Sequence, residues 1–277
     1  MIRLKLMKWL VAILMRDARD AAGVTQKGAA LALGVTPNTI YNWERGTHHP
    51  PYGAIAKVAE VYGLDAELKF YLELILEGND HRVLEAHPRL HAIALAKAEQ
   101  NAGIIFKYEP FLIPGPLQTR AYHFLVLKVA EKLTDLVAEQ GWTFKEGRRT
   151  LLRAREPGPQ IQYLIGDSAI YHLQSLPEAV RRELVSDMLG QDSLANIEIR
   201  VINQFHPARS TPIDVYQGGG AEVNLPVFVY SEGFPNRSWC IEEEHLVSLY
   251  HEAGQAMWQI GIPLKEFLNE YCRDLLA

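Results

Sequence analysis

Apolar residues recur at helical spacing through the first part of the chain. Val11, Met15, Ala18 and Ala22 fall at i, i+4, i+7 and i+11, which predicts an amphipathic first helix. Shorter helical patterns follow at 26–34, 37–43, 51–64 and 66–78. The N-terminal part is therefore predicted to be an all-α bundle of five helices.

Alternating apolar patterns appear only later in the chain. Four β-rich runs, IQYLIG, IEIRVIN, PVFVYS and SWCIE, read as strands, and two helical runs separate them, LPEAVRRELVSDMLG and EEEHLVSLYHEAGQAMWQIG. This mixture predicts an α+β protein whose C-terminal part is a mixed α/β domain with one sheet. We expect the loop at 207–224, rich in Gly and Pro, to be a mobile lid or a partner contact.

These patterns divide the chain into three parts. We predict domain boundaries that give an all-α head at 1–78, a helical connector at 79–103, and the mixed α/β domain at 104–277.

Charge is distributed unevenly between these parts. The whole chain carries −5, and residues 1–62 hold eight Lys and Arg against four Asp and Glu. The head is thus +4 and the remaining residues are −9. A basic head on an acidic body indicates a polyanionic partner for the head alone.

The cysteine content and the start of the chain bear on the compartment. Cys240 and Cys272 are too few for a disulfide scaffold, which favours a reducing, cytoplasmic location. The start resembles a secretory signal, but charged residues follow its apolar run where a cleavage site should lie, so we favour a first helix. No stretch is long enough to span a membrane, and we expect no membrane partner.

Residues that typically begin and end helices predict the boundaries of the second and third helices. Thr25 and Thr36 are placed as N-caps, Pro37 stands at a first helical position, and Gly34 lies in the turn between the helices. Two short helices joined by a Gly-containing turn form a helix-turn-helix.

The exposed face of the third helix then carries the candidate chemistry. Its amide and hydroxyl side chains suit base edges, and the helix N-terminus with Lys27 suits phosphate. The alternative is a helical subdomain whose polar face is only solvated. The predicted DNA-binding residues are Gln26, Lys27, Thr36, Asn38, Thr39, Tyr41, Asn42 and Arg45.

Residues 8–75 resemble the XRE (Cro/C1-type repressor) helix-turn-helix. The resemblance rests on Gln26 opening one helix, Gly34-Val35-Thr36 in the turn, and Glu44, Gly46 and Pro50 closing the next. It implies DNA contacts from Gln26, Asn38, Thr39 and Asn42. Pro37 stands where relatives often carry a polar base-reading residue, so base readout would rest on fewer side chains.

Beyond the head, the chain carries a motif formed by Glu99, Ala102, Tyr108-Glu109-Pro110, Pro114-Gly115, Leu117-Gln118-Thr119 and Tyr122. With this motif, most of the remaining chain resembles a domain of unknown function that follows XRE-type heads in actinobacterial regulators, including the WhiJ-like group. In that domain Gln is usual at the position of Arg149, and Glu is usual at the position of Asp167. The resemblance implies a small co-encoded partner protein.

Enzyme motifs are incomplete or missing. HEAGQ at 251–255 departs from the zinc pattern H-E-x-x-H because Gln255 replaces the second His, and no phosphate-binding loop occurs. We expect no enzyme activity, no catalytic residues, no metal and no cofactor. An arginine group could hold an anionic ligand, although a solvated helix face is the favoured interpretation; it comprises Arg148, Arg149, Arg153 and Arg155.

The sequence thus predicts a transcriptional regulator, a repressor by default, bound as a homodimer to a double-stranded operator. Its C-terminal domain would dimerise and bind a ligand or the co-encoded partner. Two alternatives are an XRE-headed regulator resembling a zinc peptidase, and an antitoxin-like protein-interaction module with little DNA binding.

Overall fold

The computed structural model describes most of the chain, as residues 5–78, 87–126, 134–220, 223–233 and 237–276. The chain divides into two compact units. The first comprises Met1–Ala102, Gln217–Phe228 and Trp239–Glu243, and the second comprises Gly103–Tyr216, Val229–Ser238 and Glu244–Ala277. The domain boundaries drawn from the sequence stay predictions. Residues 79–86 of the expected connector lie outside the described residues.

The first unit contains the predicted five-helix bundle and one further helix. Its helices are α1 (Lys5–Ala21), α2 (Gln26–Leu33), α3 (Pro37–Glu44), α4 (Ile55–Tyr62), α5 (Ala66–Glu77) and α6 (Pro88–Asn101). A short 3₁₀ turn, Tyr52–Ala54, precedes α4.

Helix α1 is the centre of this unit. Leu6, Met7 and all residues from Trp9 to Met15 are buried, because α3, α4, α5 and α6 all pack against α1. The amphipathic face expected from the sequence is therefore too narrow, and Ala22 is exposed beyond the end of the helix. Burial of a helix on most of its sides explains why its apolar run looks like a signal sequence.

A carboxylate from far along the chain caps the start of α1. Glu242 accepts hydrogen bonds from the backbone N–H groups of Lys5 (2.9 Å) and Leu6 (2.8 Å). Negative charge at a helix N-terminus satisfies free donors and complements the helix dipole.

The strands form a seven-stranded sheet within the described residues, in the order β6-β5-β4-β1-β2-β3-β7. They are β1 (Ala102–Glu109), β2 (Gln160–Gly166), β3 (Ile197–Ile202), β4 (Ile213–Gly218), β5 (Phe228–Gly233), β6 (Arg237–Ile241) and β7 (Ile262–Pro263). β1, β2 and β3 run parallel, with Tyr108 opposite Leu164 and Ile165 opposite Val201, and β7 is antiparallel to β3. The sheet is mixed, and the α+β prediction is confirmed.

Helices connect and cover these strands. They are α7 (Arg120–Val126), α8 (Asp135–Arg153), α9 (Asp167–His172), α10 (Glu178–Asp192), α11 (Glu244–Gln259) and α12 (Leu264–Tyr271). Helical connections are what parallel neighbouring strands require. In the described part of the chain, no helix combines the length and the apolar character needed to cross a bilayer.

Three of the seven strands were missed by the sequence patterns, namely the two-residue β7 and the longer strands β1 and β4. β1 was assigned to the connector and a turn-rich path, and β4 to the loop at 207–224. The expectation of one mobile loop is wrong for Ile213–Gly218, whose first four residues are buried. In β1 and β4, side chains at consecutive positions are buried. Their sequences therefore lack the alternation of apolar and polar residues by which a half-exposed strand is recognised.

One glycine sets the distance between α11 and the sheet. A Cβ at Gly254 would lie 2.8 Å from Cε1 of Phe106, whose ring is 2% exposed. We expect Gly254→Ala to destabilise the protein by about 1–3 kcal/mol, because neither element can withdraw without loss of packing. Urea unfolding checks this value.

Gly147→Ala in α8 is the matched control. No atom lies within 4 Å of a Cβ at that position, so this variant should gain roughly 0.5–1 kcal/mol from the better helix propensity of Ala. Equal stability changes in the two variants would contradict the close-packing explanation.

Candidate functional site

The turn between α2 and α3 has the predicted caps. Thr25 accepts a hydrogen bond from the N–H of Gly28, and Thr36 accepts one from the N–H of Thr39 (3.2 Å). Gly34 adopts φ 72°, a left-handed conformation that favours glycine, and Pro37 occupies the first turn of α3. The local sequence therefore determines where α2 ends and α3 begins.

Burial divides the two faces of α3. Ile40, Trp43 and Glu44 are buried, whereas Asn38 and Tyr41 are exposed. A helix anchored on one side with amide and aromatic side chains on the other has the form required to enter a DNA groove.

A buried ionic network joins three helices behind this face. Glu44 at the end of α3 is 3% exposed, and it accepts hydrogen bonds from Arg19 Nε (2.5 Å) and Arg19 Nη2 (3.0 Å) of α1. Gln26 Nε2 of α2 donates to the same carboxylate at 2.8 Å. The attraction to Glu44 raises the pKa of Arg19. The network sets the position of α3 relative to α1 and α2.

Sequence reasoning missed the role of Glu44. Glu44 was assigned only to the E-x-G motif and to the charge count of the head, and Arg19 only to that charge count. The available signal was a carboxylate at the end of a half-apolar helix, directly after Trp43. A charge that is buried beside an apolar side chain requires a partner.

Several predicted DNA contacts already have partners within the protein. The hydroxyls of Thr36 and Thr39 lie 2.9 Å apart, and Asn42 Oδ1 is 3.3 Å from the hydroxyl of Thr47. Arg45 Nη1 donates to Tyr41 Oη at 2.6 Å, with the guanidinium 5.2 Å from the ring centre. These bonds orient the side chains before any DNA is present.

Two predicted contacts remain fully available. Asn38 and Lys27 are exposed, and neither makes a side-chain hydrogen bond to another residue of the described segments. Gln26 is half-buried, and its amide donor is engaged by Glu44. Contact with DNA stays a prediction for all eight residues.

In the second unit, motif residues meet at the carboxyl ends of β1 and β2. Tyr108 and Glu109 end β1, and Asp167 follows β2. Tyr108 donates its hydroxyl hydrogen to the carbonyl of Arg209 (2.8 Å), and Arg209 Nη2 donates to Asp167 at 2.5 Å. This is the edge at which parallel sheets usually bind ligands.

Other motif residues hold the loop that follows β1. Gln118 Nε2 donates to the carbonyl of Ile113 at 2.7 Å, and the N–H of Ile113 donates to Tyr122 Oη at 3.2 Å. Arg149 Nη1 donates to the carbonyl of Gln118, and Lys145 Nζ donates to its side-chain oxygen at 2.6 Å. The structure thus brings Gln118, Tyr122 and Arg149 together to fix a loop conformation.

A buried ionic cluster between β1 and β4 was not predicted from the sequence. Lys107 of β1 and Asp214 of β4 form an ion pair, and Lys107 also donates to Tyr216 Oη at 2.6 Å. Lys107 is 6% exposed and Asp214 is 8% exposed. Missing β4 in the sequence made this pair invisible, because its two residues lie on different strands.

The cluster changes the acidity of a neighbouring carboxyl group. Burial raises the pKa of Glu109 to about 8, and the negative charges of Asp214 and Glu232 add to the effect. Lys107 and Lys145 act in the opposite direction with smaller weight. Glu109 is therefore largely protonated at neutral pH.

The incomplete zinc pattern lies on α11. The side-chain amides of Gln255 and Gln162 lie 3.5 Å apart. Among the described segments, no group of three or more His, Cys, Asp and Glu side chains is arranged to hold a metal ion.

Two family models match this sequence. A model described as "Helix-turn-helix domain" matches residues 10–69, and one described as "Domain of unknown function (DUF5753)" matches residues 93–266. The first match indicates a DNA-binding regulator. No curated protein and no solved structure matches the chain.

Proposed function

We propose that this chain is a sequence-specific repressor of transcription. The chain belongs to the family of the Domain of unknown function (DUF5753), and a helix-turn-helix domain precedes that domain. One observation carries the proposal. Helix α3 is anchored through buried Ile40, Trp43 and Glu44, and it exposes Asn38 and Tyr41 on its other face.

Base readout follows from these side chains. An Asn amide forms two hydrogen bonds with adenine in the major groove, and this pairing discriminates adenine from the other bases. Lys27 and the N-terminus of α2 supply sequence-independent contacts to phosphate. The face of α3 can read only a few base pairs, so one head alone has limited specificity.

A homodimer would overcome that limit. Two heads related by a two-fold axis would read half-sites about 10 to 10.5 base pairs apart, or a multiple of this spacing. The second unit would dimerise the chain and bind a ligand or a small co-encoded protein. We propose that it regulates DNA binding and has no catalytic activity.

The experiment is fluorescence anisotropy of the full chain with DNA from just upstream of its own reading frame, at several salt concentrations. Asn38→Ala should weaken binding by about 1–3 kcal/mol and relax the preference at one base position. Lys27→Ala should weaken binding to all sequences alike. It should also reduce the slope of the logarithm of the affinity against the logarithm of the salt concentration by about one, because one phosphate contact is lost.

Asn269→Ala is the control, since Asn269 is an exposed asparagine on α12, outside the helix-turn-helix. It should leave the affinity unchanged. Binding without salt dependence, or equal effects of Asn38→Ala and Asn269→Ala, would contradict DNA readout and favour an antitoxin-like protein contact.

A further inference from the structure

A pocket in the second unit collects three of the four arginines that the sequence placed in one group. It has a volume of about 200 Å³ and lies between α8, α10 and the starts of β2 and β3. Its polar lining comprises Arg149, Arg153, Arg155, Gln191, Asn196 and Tyr163. No carboxylate is among the lining residues.

The three arginines of this pocket differ in their surroundings. Arg149 lies 3.3 Å from Glu146 and 3.7 Å from Asp187. Arg153 makes no ion pair or hydrogen bond with the described segments. Arg155 is half-buried, and this burial lowers the pKa of its guanidinium. An anion in the pocket would give Arg153 a charge-assisted partner.

Apolar residues complete the lining of the pocket. Leu152 and Ile161 are 8% and 3% exposed, and Ile197 is 9% exposed. Apolar walls with a few convergent polar groups are typical of small-molecule sites. A simple inorganic ion would leave these walls without a partner.

We propose that this pocket binds a small organic anion, with a phosphate or carboxylate group against Arg153 and Arg155 and a compact aromatic or aliphatic body against Leu152, Ile161 and Ile197. The volume corresponds to roughly seven water molecules at about 30 Å³ each. This space accommodates a single ring with one anionic group.

The pocket is also connected to the loop that follows β1. Arg149 lines the pocket and donates to the carbonyl of Gln118, and Pro116 of the same loop lines the pocket as well. A bound anion would therefore touch residues that hold the loop after β1. Binding at this site does not depend on the proposed DNA-binding activity, and it is tested without DNA.

The experiment is isothermal titration calorimetry of the full chain with phenyl phosphate, inorganic phosphate and phenol as separate probes. Phenyl phosphate should bind, inorganic phosphate about tenfold or more weakly because it leaves the apolar walls uncovered, and phenol not measurably. Arg153→Gln and Arg155→Gln should each weaken phenyl phosphate binding about tenfold, through loss of a charge-assisted hydrogen bond.

Arg148→Gln is the matched control. Arg148 lies on the same helix, with its guanidinium 5.7 Å from the centre of the Phe144 ring, and it does not line the pocket. It should bind phenyl phosphate as the parent chain does. Thermal unfolding of each variant verifies that the fold is intact.

Three results would overturn the proposal. The first is no binding of phenyl phosphate, and the second is unchanged binding by the Arg153→Gln/Arg155→Gln double variant. The third is equal affinity for inorganic and phenyl phosphate, which would remove the apolar part of the site. If the double variant instead weakened DNA binding while phenyl phosphate did not bind, the arginines would belong to a DNA backbone contact.

Discussion

Glu44→Ala is expected to lower the free energy of unfolding by about 3–5 kcal/mol, because it leaves Arg19 buried without its carboxylate. The side chain of Arg19 is 11% exposed, and its remaining partners are the exposed Asp20 and the carbonyl of Val24. Gln26 loses the acceptor of its amide group in the same change. The loss should therefore reach three helices.

The measurement is urea unfolding of the full chain, combined with hydrogen exchange of the backbone amides in α2 and α3. Those amides should lose protection in Glu44→Ala. Glu60→Ala, an exposed carboxylate on α4, is the control and should change stability by less than about 0.5 kcal/mol. A second variant, Arg19→Met/Glu44→Leu, removes both charges and should recover much of the loss.

Similar stability of Glu44→Ala and Glu60→Ala would show that the network does not hold the bundle. In that case the orientation of α3 would depend on Ile40 and Trp43 alone. The DNA affinity of Glu44→Ala, measured at a temperature where the chain is folded, then reports whether the network still orients the exposed face of α3.

The stability of the second unit is expected to fall as the pH rises from about 5 to about 9. The folded-state pKa of Glu109 is about 8, above its ordinary value of 4.5. Between these two values the unfolded chain releases the proton and the folded chain keeps it, so ionisation favours unfolding. The upper bound of the effect is about 5 kcal/mol, reached above the folded-state pKa.

Glu109→Gln should remove this part of the pH dependence. Gln is a neutral analogue of the protonated carboxyl group, so the variant should be close to the parent in stability near pH 5 and more stable near pH 9. Urea unfolding across this range gives the two curves. Glu183→Gln, an exposed position on α10, is the control. Parallel curves for the parent and Glu109→Gln would disprove a protonated Glu109.

How much the sequence predicts depends on the range of the interactions. The ends of α2 and α3 are determined by Thr25, Gly34, Thr36 and Pro37, each of which bonds to or constrains its own neighbours. Such local rules can be read without a fold. The helix-turn-helix and its exposed Asn38 were therefore predicted correctly as structure.

Strands buried on both faces were harder to recognise. β2 and β3 were predicted because their β-branched runs are bounded by turn residues. β1 and β4 were missed, since Pro and Gly flank them and their burial comes from neighbouring strands and helices. Strand pairing is a tertiary property that single-sequence patterns express weakly.

By itself, the sequence determined the α+β class, the helix-turn-helix with its caps, and the exposed face of α3, because these follow from hydrophobic period and local hydrogen bonding. Only the tertiary structure decided the partners of the buried charges. Glu44 meets Arg19 across 25 residues, Lys107 meets Asp214 across 107, and Glu242 caps α1 across 237. A charge removed from water requires a partner at a specific place in space, and that place exists only once the chain has folded.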